Sequence, residues 1–96
     1  MDDLVLIQQD SSPDYKGYCH QWQEDGDLQP YWGFGDTPGV AEEQSIYAER
    51  DEGRGFSRGF GNWQTKTSIY SNQNGWPCHT LVELLKDGIT ISSFSD

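Results

Sequence analysis

The dipeptide Asp25-Gly26 stands between two runs that alternate along the chain, "YKGYCHQWQ" (15–23) and "LQPYWGF" (28–34). Glycine tolerates the positive φ that a tight hairpin loop demands, so this stretch reads as two antiparallel strands joined at "EDGD". Alternation puts Tyr18, His20 and Trp22 on one face of the first strand and Tyr15, Cys19 and Gln21 on the other. Pro30 has no backbone N–H to donate and marks the second strand as an edge or interrupted one.

The other runs extend the same scheme. "LVLIQ" (4–8) is a short β-favouring run ended by the turn-rich "QDSSPD", and "GDTPG" (35–39) reads as a loop. "VAEEQSIYAER" (40–50) fits two patterns: Val40, Gln44 and Tyr47 line a helix, yet "QSIYAER" alternates as a strand. "DEGRG" breaks it. "FSRGFGNWQ" (56–64) and "KTSIYS" (66–71) are expected to be two strands, the first loosened by Gly59 and Gly61, and "NQNGWP" (72–77) is a turn. "LVELLKD" (81–87) is expected to be a helix, because Thr80 and Glu83 match the capping box and Gly88 sits where a left-handed cap is wanted. "ITISSFS" (89–95) closes as a strand. The sum is one small α+β domain over residues 1–96, an antiparallel sheet of four to six strands with one or two short helices.

Composition decides whether such a chain folds at all. Its hydrophobic share is 33% and its net charge is −10 over 96 residues, values that lean toward disorder. Thirteen aromatic residues lean the other way, since each buries roughly 150–250 Å² and a few can replace many aliphatic side chains. Residues 1–48 hold ten acids and one base, a balance of −9, whereas residues 49–96 hold six acids and five bases, a balance of −1. An acidic field repels nucleic acid and attracts basic surfaces, so direct nucleic-acid binding is not expected. "MDDLVLIQQD" lacks the basic start and long apolar run of a signal peptide, and no stretch approaches a membrane span. A cytoplasmic protein without membrane contact is the expectation.

Both cysteines and both histidines lie in two Cys-His dipeptides, Cys19-His20 and Cys78-His79. Four such ligands suit zinc, but adjacent strand residues point to opposite faces, so the spacing disfavours a shared metal. The plainer expectation is no cofactor, two small buried thiols and two partly exposed histidines. A cysteine nucleophile is a further reading, with Cys19 as the thiol, His79 as its base and Asn72, Asn74 or Asp87 orienting the ring. "GYCHQW" resembles the surroundings of the nucleophile in CHAP-type and papain-like cysteine hydrolases at Gly17, Cys19 and Trp22. That resemblance implies an activated Cys19, but the aromatic is displaced and those folds place the cysteine at a helix start.

"GRGFSRGFGNW" (53–63) interleaves arginine and aromatic residues. As an uninterrupted strand it sets Arg54, Phe56, Arg58 and Phe60 in one register, with arginines over aromatic faces as internal packing. A small anionic or nucleotide ligand held by Arg54, Arg58 and Trp63 is the alternative. Trp22, Tyr31, Trp32, Trp63 and Trp76 divide between core and interaction surface. The front-half acids match no calcium loop, because "DGD" lacks the regular spacing and the distal Glu.

No catalytic constellation stands out, and the functional expectation follows from size and field. The chain reads as a small acidic binding protein that occupies a basic, nucleic-acid-binding surface of a protein partner. Phage inhibitors of host defence complexes and toxin-neutralising proteins act in this way. Glu24, Asp25, Asp27 and Asp36 would steer the encounter, with Tyr31 and Trp32 as anchors.

Overall fold

The computed structural model describes residues 3–24, 26–45 and 54–95. It contains six strands and one helix: β1 (Val5–Ser11), β2 (Tyr15–Glu24), β3 (Asp27–Gly35), α1 (Pro38–Ser45), β4 (Arg54–Ser71), β5 (Pro77–Lys86) and β6 (Ile89–Ser95). The strands form one antiparallel sheet in the order β3-β2-β4-β5-β6, with β1 also paired to β4. Sheet dominates, so the α+β expectation fits only loosely. The chain divides into two compact units, residues 14–63 and residues 1–13 with 64–96, and β4 passes from one to the other.

In residues 14–63 the expected hairpin is present. Glu24 pairs with Asp27, and Gly26 holds φ +86° in the two-residue loop; Asp25 lies outside the described residues. β3 is the edge strand and is bulged where Pro30 falls: Gln21 faces Trp32 while Gln23 faces Leu28, so three residues of β3 oppose Trp22 alone. Gln21 Nε2 donates to the Gln29 carbonyl at 2.9 Å inside this bulge. A proline without a donor is tolerated there because no ladder bond is lost.

The segment "GDTPG" is a loop only at Asp36 and Thr37. Gly35 ends β3, and Pro38 and Gly39 open α1. Thr37 caps the helix: its Oγ1 accepts from Val40 N at 3.2 Å and its carbonyl accepts from Ala41 N at 3.0 Å. Pro38 then occupies the first helical position, where a missing N–H costs nothing. The helix packs on β3 and β2. It comes close because Gly33 and Gly35 present bare backbone. A Cβ on Gly35 would stand 2.5 Å from Ala41 N, and one on Gly33 would collide with the backbone of Gln44 and Ser45. Ala41 and Ser45, both small, are the buried side chains of the helix. Of the ambiguous stretch 40–50, residues 46–50 lie outside the described residues.

Pairing assigns the two faces of this unit. Tyr18 opposite Gly35 and His20 opposite Gly33 share the helix side, where Tyr18 meets Phe60 edge-to-face at 5.3 Å. On the other side Tyr15, Phe34 and Trp63 stack in sequence at 5.9 and 6.3 Å. Trp63 is fully buried and its Nε1 donates to the Gly17 carbonyl at 3.0 Å; Cys19 is buried on the same side, and Trp22 and Ala41 are the other buried apolar side chains of this unit among the described residues.

"FSRGFGNWQ" and "KTSIYS" are not two strands but parts of the single 18-residue β4, the second of them in the unit of residues 1–13 and 64–96. Ser12 ties the end of β1 to it: Ser12 N donates to Thr65 O at 2.9 Å, and Ser12 Oγ accepts from Thr65 N at 2.8 Å. Between β4 and β5, Asn72 Oδ1 accepts from Asn74 N and Trp76 N at 2.9 and 3.2 Å, fixing the expected turn.

The expected helix over 81–87 is a correction: those residues are strand β5 and the first residue of its hairpin loop. Asp87 and Gly88 have φ of +52° and +83°, and Lys86 pairs with Ile89 across them, which is a two-residue hairpin loop of the primed kind. Glu83 does not cap a helix; its Oε2 accepts from Thr90 Oγ1 on the neighbouring strand at 2.8 Å.

Candidate functional site

Four of the described carboxylates of residues 14–63 lie along β3 and α1, and a fifth, Asp14, is exposed just before β2. Asp27 and Asp36 are exposed at the two ends of β3, and Glu42 and Glu43 are exposed on the helix that follows. β3 has nine residues, which at about 3.3 Å each puts Asp27 and Asp36 somewhat under about 30 Å apart. That span is a stripe for a macromolecular surface rather than a point site for one ion. Glu24 pairs with Asp27 at the hairpin end, but its side chain and all of Asp25 lie outside the described residues. Tyr31 is 46% exposed on the same strand, and Trp32 is half-buried.

Asp36 is held in place. Tyr15 Oη donates to its Oδ1 at 2.6 Å, and Phe34 stacks on the Tyr15 ring. That hydrogen bond, then burial, then the nearby negative charge raise the Tyr15 hydroxyl above its ordinary value of 10.0. Each of these causes disfavours the phenolate. The sequence signal for Glu42 and Glu43 was Thr37-Pro38, a helix start that resembles a loop when read without its context.

The two Cys-His dipeptides fall in different units. Cys19 is buried and Cys78 exposed, and they form no disulfide, which corrects the expectation of two buried cysteines. His20 is only 6% exposed rather than partly open, and its Nδ1 has no hydrogen-bond partner among the described residues. His79 is half-buried with its ring 6.0 Å from that of Tyr70. Among the described residues no group of three or more His, Cys, Asp or Glu side chains is placed to hold a metal. Cys19 has no exposed surface, and its Sγ contacts the His20 carbonyl at 3.7 Å. A nucleophile has to be reached by its substrate, and this thiol offers no access.

The arginine-aromatic segment does not keep one register. Cys19 pairs with Gly59 and His20 with Ser57, so Arg58 is an extra residue, and Gly59 takes φ +86° beside it. Phe60 pairs with Tyr18 while Phe56 pairs with Gln21, which puts the two rings on opposite faces. Half-buried Arg58 has its guanidinium 5.5 Å from the centre of the Phe56 ring. Trp63 belongs to the core, and the Arg54 side chain lies outside the described residues. Trp76, at 69%, is the most exposed of the large apolar side chains among the described residues.

No helix among the described residues is long and apolar enough to cross a membrane. Comparison with protein families, curated proteins and solved structures finds no match to this chain.

Proposed function

We propose that this is a cytoplasmic, non-enzymatic binding protein that covers a basic surface on a protein partner. The observation that carries the reading is the −10 net charge together with exposed carboxylates strung along β3 and α1. Exposed carboxylates can stand in for the phosphates that a nucleic-acid-binding groove accepts. Steering would come from the field and affinity from a few anchors, Tyr31 and Trp32 first. The resulting mechanism is inhibition by occupancy, as in phage anti-defence or toxin-neutralising proteins.

The test is capture of partners from a lysate on immobilised protein, followed by elution with salt and with duplex DNA as competitor. Support requires a retained protein with a basic surface that both treatments release. Partners that resist salt and ignore DNA would contradict the reading.

A further inference from the structure

The unit of residues 1–13 and 64–96 covers little of its own sheet. Among the described residues its buried apolar side chains are Leu84 and Leu85, whereas residues 14–63 bury Cys19, Trp22, Ala41 and Trp63. The shortfall concentrates on β1. Leu4, Val5, Leu6 and Ile7 are 47, 52, 47 and 48% exposed, with no alternation between faces. A strand with one face on a core alternates buried and exposed. This one is about half-exposed on both faces, and among the described residues it pairs with β4 alone.

Charge distribution says what fits there. The strands of this unit, including the 66–71 part of β4, carry two acids (Asp10, Glu83) and two bases (Lys66, Lys86), with Asp3 and Asp87 just outside them, whereas the chain as a whole is at −10. Leu4–Gln9 has no charge and no proline. Edge strands are ordinarily guarded by such residues, and here Asp3 and Asp10 stand only at the two ends of the uncharged run, which one bulge interrupts, with Ile7 left without a counterpart between Leu6 and Gln8. A basic partner would be drawn to the carboxylates instead. A neutral, aliphatic edge is complementary to a second neutral, aliphatic edge.

We propose that β1 is a homodimer interface, pairing antiparallel with β1 of a second copy. Such contact is isologous and closes on two copies. The register that sets Leu4 against the partner's Ile7 and Val5 against the partner's Leu6 pairs all four aliphatic residues. It also sets Asp3 opposite the partner's Gln8, so no carboxylate faces another. This inference is independent of the proposed basic-surface partner.

Sedimentation velocity over a concentration series tests it on the full chain. The expected result is a monomer–dimer equilibrium between 10.9 kDa and twice that mass. Association should tighten with added salt, because screening relieves repulsion between two acidic copies. Leu6→Lys and Ile7→Lys should each return the protein to monomer. In case either variant unfolds, hydrogen exchange on the unmodified protein should show β1 amides slowing as concentration rises. A monomer at every concentration with concentration-independent β1 exchange overturns the proposal. So does a dimer that a folded Ile7→Lys variant leaves intact, or growth beyond two copies.

Discussion

The Tyr15 hydroxyl donates to the Asp36 carboxylate at 2.6 Å, joining the start of β2 to the residue that follows β3. Because the folded Tyr15 titrates above its ordinary value, this contact contributes stability below about pH 10 and loses it as pH rises through the raised value. Difference titration of phenolate absorbance against Tyr15→Phe isolates this one of the five tyrosines. Asp36→Asn should bring the Tyr15 transition back toward 10.0. An unchanged transition would show that the carboxylate does not hold it.

Gly33 is where the sheet admits the helix. Gly33→Ala forces a methyl group into the backbone of Gln44 and Ser45, and overpacking of this kind costs about 1–3 kcal/mol. Urea unfolding should show the loss, with a drop in helical circular dichroism as α1 lifts from β3. Gly26→Ala is the contrast: no atom lies within 4 Å of the added Cβ, so its cost comes from the φ of +86° and leaves α1 in place.

The thiols separate by access. Under native conditions one equivalent of a maleimide should react quickly, at Cys78, while Cys19 waits for unfolding. Cys78→Ser should remove the fast phase entirely. Two equal fast phases would contradict the burial of Cys19.

What the sequence made legible was the local turn chemistry. Asp25-Gly26, Pro30 and Asn74-Gly75 each carry a backbone constraint in the residue itself, and the loop, bulge and turn fall where they fall. The errors came where one short pattern serves two structures. Thr80–Glu83 with Gly88 matches a helix with both caps, yet Asp87-Gly88 is equally a two-residue hairpin loop. Pairing with β6 decided between them, and pairing is not local. Thr37-Pro38 failed in the opposite sense, because a cap followed by proline looks like a loop until Gly33 and Gly35 supply a surface for the helix. Arg58 shows a third limit. One glycine at φ +86° inserts a bulge and reverses the face of every residue before it, so the apparent register of "RGFSRGF" held no information about which side chains meet. Of the candidate site, charge was legible and geometry was not: the acids were visible as composition, but their alignment along β3 and α1 depends on the helix.

The central claim is that the carboxylates of β3 and α1 steer a basic partner. The most direct measurement is the association rate of the captured partner with the wild type and with Asp27→Lys/Glu42→Lys/Glu43→Lys, followed across ionic strength. These side chains are exposed, so the variant should keep its fold. Steered association exceeds the unsteered rate by about 10- to 1,000-fold, and the variant should lose at least about tenfold at low salt and show a flattened salt dependence. Equal rates with equal salt slopes would contradict the account.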